Sequence, residues 1–204
     1  MPGERVELSD RSRLFSAVVD EASGAAVSFR VEQEIPVRVS TTRLELYAAI
    51  IKFPRFEWMI EKATELGAAA IAPVVAERSD VGLCRAAVKR LDRWRRLSEE
   101  AAQQCRRLAP PELVEPVSLE DALGRAADQK LFFDFEAPPL ASLLAEPAAG
   151  NFALFCGPEG GWSDHERELF ASAGTRAAGL GHTVLRAETA AVAGLAVAAQ
   201  ALDL

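Results

Sequence analysis

Four apolar runs constrain this chain more than any other feature: "LELYAAI" from Leu44, "AIAPVV" from Ala70, "KLFFDF" from Lys130 and "NFALFC" from Asn151. Each is nearly continuously apolar rather than alternating, as a strand is when both faces of its sheet are covered. Helical patterns stand between them. In "RFEWMIEKATELG", Phe56, Met59, Ile60, Ala63 and Leu66 share one face and Gly67 supplies the stop. Further helices are expected from about Ala86, Ser118, Ser163 and Glu188, and a short strand at "AAGL". This alternation argues for an α/β domain with a mostly parallel sheet covered on both sides. The loose stretch "EAPPLASLLAEPAAG" reads as a connection.

The first forty residues differ. "RVELSD", "RLFSAVVD" and "AAVSFRVE" are short β-type runs separated by polar and glycine turns, the pattern of a small antiparallel unit. Three strands rarely hold a core alone. The expected division is therefore a small β domain over residues 1–40 and the α/β domain over 41–204. With half of its 204 residues apolar, the chain can bury a sizeable core. "MPGERVELSD" has no apolar signal region, and the alanine-rich stretch near Ala190 to Ala199 is too short to span a bilayer, so a cytoplasmic location is expected.

Charge points two ways. A net charge of −7 argues against a nucleic-acid partner. Yet from Arg78 to Arg107 nine basic residues face four acidic ones, a local balance of +5. With Leu91, Trp94, Leu97 and Ala101 at helical spacing, "AAVKRLDRWRRLSEEAAQQCRR" reads as one amphipathic helix with a basic face. That face is either solvated or a nucleic-acid surface.

Two loops carry the chemistry. "GPEGGWSDHE" follows the run "NFALFC", and Ser163 with Glu166 forms a capping box, so the turn sits at the carboxyl end of a strand and opens a helix. Ligands of open α/β sheets bind at that edge. Neither GxGxxG nor GxxxxGK[ST] is present, and Glu159 puts a negative charge where a phosphate would sit. A ligand without phosphates, bearing a positive charge, suits the loop; a plain glycine turn is the other reading. The second loop, "GLGHTVLRAETA", has Gly179 and Gly181 before it closes on Arg186, Glu188 and Thr189. Arg186 beside Glu188 reads as an ion pair, more often structural than catalytic. The helix that follows is apolar almost all round and so expected to be buried on every side; its small residues allow packing against another helix, including one of a second subunit.

No GxSxG elbow occurs, and His165 and His182 have no metal-ligand spacing with the cysteines, so hydrolase and metal chemistry are set aside. Cys84, Cys105 and Cys156 lack a CxxC spacing and read as small buried apolar residues.

"KFPRFEWMIEKATELGAAAIAPVVAERS", "RWRRLSEEAAQQCRR", "FCGPEGGWSDHE" and "LGHTVLRAETA", in this order, resemble the ribosomal RNA small-subunit methyltransferase E (RsmE) family, a branch of the SPOUT, or trefoil-knotted, methyltransferases. The resemblance spans about Leu44 to Leu202. It implies an α/β trefoil-knot domain behind a PUA-like RNA-binding β domain, and S-adenosylmethionine-dependent methylation of N3 of a uridine in 16S rRNA. It also implies a homodimer joined through the knot and last helix, without metal or membrane. Carried onto this sequence, Gly157, Pro158, Glu159, Gly160 and Gly161 form one cofactor wall, and Leu180, Gly181, Val184, Leu185 and Arg186 the other. Arg186 is the expected electrostatic donor to the uracil oxygens and Glu188 the expected proton acceptor, directly or through water. The basic segment adds Arg78, Arg93, Arg96, Arg106 and Arg107 as RNA contacts, joined by Lys52, Arg55, Arg11 and Arg13. Relatives carry a basic stretch and a strand before the equivalent of "GERVEL", so either the start is mis-assigned or the RNA-binding module is reduced. A non-catalytic assembly factor and a ribose 2′-O-methyltransferase of the same fold are the alternatives.

Overall fold

The computed structural model describes residues 1–37, 40–125, 127–144 and 150–204. The chain divides into two compact units, Met1–Val39 with Arg106–Ala109, and Ser40–Cys105 with Pro110–Leu204. In the smaller unit, β1 (Arg5–Ser9), β2 (Leu14–Ala22) and β3 (Val27–Ile35) form an antiparallel sheet with β2 in the middle. Among the described residues, Ala17 and Val19 of β2 are its buried apolar residues. The Ser9 hydroxyl donates to the Leu108 carbonyl at 2.6 Å, attaching residues 106–109, which a linear division at residue 40 leaves out.

The larger unit is built on β4 (Arg43–Ala49), β5 (Ala70–Val75), β6 (Glu112–Leu113), β7 (Val117–Ser118), β8 (Gln129–Phe133), β9 (Asn151–Cys156) and β10 (Arg176–Ala178). The order is β10-β8-β9-β4-β5-β6, with β7 also on β5, and every pairing is parallel. The apolar runs are explained by what lies on each side. Leu44, Leu46 and Ala48 of β4 enter one core cluster, while Tyr47 and Ala49 enter another. Pro73, which has no N–H to give, falls where β6, paired at Ala70 and Ile71, has ended and β7, paired at Val74 and Val75, has not begun.

Helix α1 (Phe53–Glu65) starts with Pro54 in its first turn, where the missing N–H has no partner to lose, and ends before Gly67 at φ +88°. Of its predicted stripe, Phe56, Met59, Ile60 and Ala63 are within the core, while Leu66, just past the helix end, is partly buried against it. Phe56 packs on Trp94 with ring centroids 4.7 Å apart, so Phe56→Ala is worth about 3–5 kcal/mol.

The basic segment is not one helix. It forms α2 (Val81–Ala87), capped by Asp80, then a 3-10 turn at Val88–Arg90, then α3 (Leu91–Gln104). Ala87 and Leu91, on either side of this turn, both belong to the same core cluster. The chain then leaves the helix with Arg106 at φ 58°, short of the expected end at Arg107. The remaining helices are α4 (Leu119–Leu123), α5 (Leu140–Leu143), α6 (Asp164–Ser172) and α7 (Ala187–Ala201). The stretch read as a loose connection thus carries α5, while its residues 145–149 lie outside the described residues.

Helix α7 departs from expectation within the single chain. Ala191, Gly194, Leu195 and Ala198 are buried, but Thr189, Ala196 and Gln200 are exposed. Among the described residues, no helix is long and apolar enough to cross a membrane.

Candidate active site

The two glycine-rich loops meet. At the carboxyl ends of β8, β9 and β10 they enclose a cavity of about 500 Å³, within the size range of small-molecule sites. All ten residues expected to form the walls, Gly157 to Gly161 and Leu180, Gly181, Val184, Leu185 and Arg186, line it. The sequence reading missed Phe133, Asp134 and Phe135 at the end of β8, and Arg167 of α6, which line it too. Arg167 is paired with Asp134. Their signal was present in "FFDF", but strand order was not, and only the adjacency of β8 to both β9 and β10 brings that end to the loops.

The first loop is braced from behind. The Ser163 hydroxyl accepts from the Glu166 amide at 3.1 Å, and Glu166 Oε2 accepts from the Ser163 amide at 2.7 Å, completing the predicted capping box. The other Glu166 oxygen accepts from the Glu77 amide at 2.9 Å, so this buried carboxylate also anchors the exit of β5. From the same exit, Arg78 donates to the Gly160 carbonyl at 2.7 Å. A Cβ on Gly160 would stand 3.3 Å from Arg78 Cδ, and one on Gly157 would stand 3.1 Å from the buried Trp162 indole. These glycines therefore admit protein neighbours on one side while their other side faces the cavity. His165 Nδ1 lies 2.8 Å from Glu77 Oε1, and this carboxylate raises the imidazole above its ordinary pKa.

Arg186 and Glu188 do not form the expected pair. Arg186 stands exposed on the cavity wall, whereas the Glu188 side chain points behind it and is only 11% exposed. Its partner is Arg55, 3.6 Å away, which also reaches Glu159 at 3.4 Å. Glu188 is not among the residues lining the cavity, so it is not placed to take a proton there directly. Burial separates the two residues: the helix starts at Ala187, and the following position turns inward. Beside it, Cys156 donates to the Ala187 carbonyl at 3.2 Å, and burial pushes its thiol up to about 12, which removes it as a nucleophile near neutrality. The other two cysteines, Cys84 and Cys105, are partly exposed rather than buried.

The proposed RNA contacts scatter. Arg11, Arg13, Arg106 and Arg107 belong to the smaller unit; Lys52, Arg55, Arg78, Arg93 and Arg96 belong to the larger. Arg55 and Arg78 are occupied at the loop, and Arg93 holds Glu57 with bonds of 2.8 and 3.0 Å. Arg13 is tied to Asp10 at 3.0 Å. Arg96 and Lys52 are exposed. Among the described residues, no group of three or more His, Cys, Asp or Glu side chains is arranged to hold a metal ion.

Residues 38–199 match the family model described as an RNA methyltransferase domain. The ribosomal RNA small subunit methyltransferase E of Mycobacterium bovis is 36% identical over 205 residues, covering 95% of this chain and 77% of that protein. A methyltransferase of Legionella pneumophila, solved with bound SAM, is 31% identical, with a TM-score of 0.87 over 98% of this chain and 85% of its own. A ribosomal RNA small subunit methyltransferase E of Neisseria gonorrhoeae bound to S-adenosyl methionine is 27% identical, with a TM-score of 0.88 over 98% of this chain and 84% of its own.

Proposed function

Because the chain belongs to the ribosomal RNA small-subunit methyltransferase E family, we propose that it transfers the methyl group of S-adenosylmethionine to N3 of a uridine in 16S rRNA. The observation that carries this reading is the convergence of both loops on one cavity lined by glycine backbone, apolar side chains, Glu159 and Arg186, with no lysine and with Arg167 already paired to Asp134. Such a lining fits a cationic nucleoside without phosphates. Gly157 to Gly161 on one side and Leu180, Gly181, Val184, Leu185 and Arg186 on the other hold the cofactor, largely through backbone groups. The cofactor supplies an electrophilic methyl group on a sulfonium, and the walls supply orientation, which accounts for much of the acceleration of an in-line displacement.

Arg186 stabilises the negative charge that develops on the uracil oxygens as N3 loses its proton. That charge stabilisation makes the imide more acidic, so the proton can leave to water. Glu188, behind the wall, is not assigned the proton.

The same reading includes a trefoil knot through the two loop-bearing segments, a PUA-like role in RNA binding for residues 1–40, and action on the small ribosomal subunit in the cytoplasm. It also includes a homodimer through α7 and the knot, supported by the exposed Ala196 and by Val184, which is 81% exposed. RNA contacts by Lys52 and Arg96 are supported by their exposure, and phosphate contacts of this kind weaken steeply with salt. Labelled methyl transfer to unmodified 30S subunits and to naked rRNA, followed by nucleoside identification, tests the reading. 3-Methyluridine is the expected product. A ribose 2′-O-methyl nucleoside, or no transfer at all, refutes it.

A further inference from the structure

One arginine joins both loops. Arg55, the third residue of α1, sends Nη1 to Glu159 Oε1 at 3.4 Å and Nε to Glu188 Oε1 at 3.6 Å. Both separations exceed the roughly 2.7–2.9 Å of a committed charge-assisted bond, so the guanidinium is shared. The two carboxylates differ in setting. Glu159 lines the cavity and is 45% exposed, whereas Glu188 is buried behind the wall. The second oxygen of Glu188, Oε2, is buried with no hydrogen-bond partner among the described residues. An unsatisfied buried carboxylate oxygen is costly, and a guanidinium is the donor that can satisfy two oxygens of one carboxylate at once.

We propose that Arg55 is a positioning residue for cofactor charge: when a cation occupies the cavity, Arg55 moves wholly onto Glu188 as a two-pronged pair, and Glu159 is left to face that cation. The proposal rests on the S-adenosylmethionine reading above. Its consequence is selectivity. The sulfonium substrate carries a positive charge that its demethylated thioether product lacks, so a freed Glu159 favours the first and releases the second. Glu188 thereby acts on the ligand without touching it, through the arginine it can take up. Replacing Glu188 by glutamine leaves a neutral amide that draws Arg55 less strongly, and the guanidinium stays on Glu159.

The test is calorimetric titration of the full chain with S-adenosylmethionine and separately with S-adenosylhomocysteine, for the natural protein, Glu188→Gln and Glu159→Gln. The expected result is a loss of sulfonium preference of about fivefold in each variant, the scale of one partly exposed charge interaction. Thioether affinity is expected to stay within about twofold. Glu159→Gln alters an exposed side chain and keeps the test open if the buried variant fails to fold. Sulfonium and thioether affinities falling in parallel would put Glu159 on a group that both ligands share, or make the triad merely structural, and either result overturns the proposal. So does an unchanged preference in Glu159→Gln or in a folded Glu188→Gln. A natural protein that binds neither nucleoside removes the functional reading itself, and this proposal with it.

Discussion

Gly194, in the middle of α7, is a glycine where a helix would ordinarily favour alanine, by about 1 kcal/mol. The structure gives the opposing reason. A Cβ at this position would stand 2.7 and 2.9 Å from Cε2 and Cε1 of Phe133, and closer still to Cζ. Phe133 ends β8 and lines the candidate cofactor cavity. Overpacking of this kind costs about 1–3 kcal/mol unless the neighbour moves. What is met here is the far edge of a ring that is only partly buried, so the ring can turn away, and the space beside it is the cavity. The helix gain and the packing loss therefore nearly cancel in stability, while the cavity loses volume. Gly194→Ala is expected to move Tm by no more than about 4 °C, taking about 2–4 °C per kcal/mol for a chain of this size. S-adenosylmethionine affinity is expected to fall about tenfold, equivalent to about 1.4 kcal/mol of that packing conflict. Thermal melts and calorimetric titration measure the two effects separately. Adding Phe133→Leu is expected to restore most of the affinity, and the resulting double-mutant cycle isolates the coupling. A Gly194→Ala protein with raised Tm and unaltered affinity would refute the reasoning.

Three further perturbations probe other parts of the site. Ser163→Ala removes the hydroxyl that caps α6 and is expected to lower stability by about 1 kcal/mol, seen as a drop of about 2–4 °C in Tm. His165 titrates above the ordinary value of about 6.5 because Glu77 favours the imidazolium, so the pair's contribution is complete below that value and fades as pH rises through the folded-state pKa. In an NMR titration, Glu77→Gln is expected to move the His165 midpoint down; equal midpoints would exclude the pairing. Arg186→Ala is expected to reduce methyl transfer about 10²–10³-fold, as for loss of one preorganised donor, while cofactor affinity changes less than about fivefold. Full turnover in that variant would remove its assigned role.

Interior residues were legible because their patterns are local. The strand at Asn151–Cys156, the stripe of α1 and the Ser163–Glu166 capping box each follow from spacing within one element, and the structure has all three. The basic segment shows where local reading stops. Its charges and apolar spacing suited one long helix, yet the segment breaks into two helices at a 3-10 turn over Val88–Arg90, although Ala87 and Leu91 on either side enter the same core cluster.

Charged partners are a harder case, because a sequence displays each charge without the group that neutralises it. Arg55 and Arg78 looked like free cations beside a basic segment, and Arg186 and Glu188 looked paired because they are two residues apart. In the folded chain, Arg55 meets Glu159 and Glu188, 104 and 133 positions away in sequence, and Arg78 meets the carbonyl of Gly160. Parallel strands bring β5 and β9 to the same sheet edge on either side of β4, so residues from distant exits become neighbours there. The loop proposed to hold the ligand is thereby braced by arginines that resembled RNA contacts. A net charge of −7 then understates how few cations remain for RNA, since several of the basic residues are spent on internal carboxylates. Exposed residues such as Arg96 and Lys52 are consequently the ones whose removal should lower the salt dependence of RNA binding, and Arg55 and Arg78 the ones whose removal should act on the cofactor.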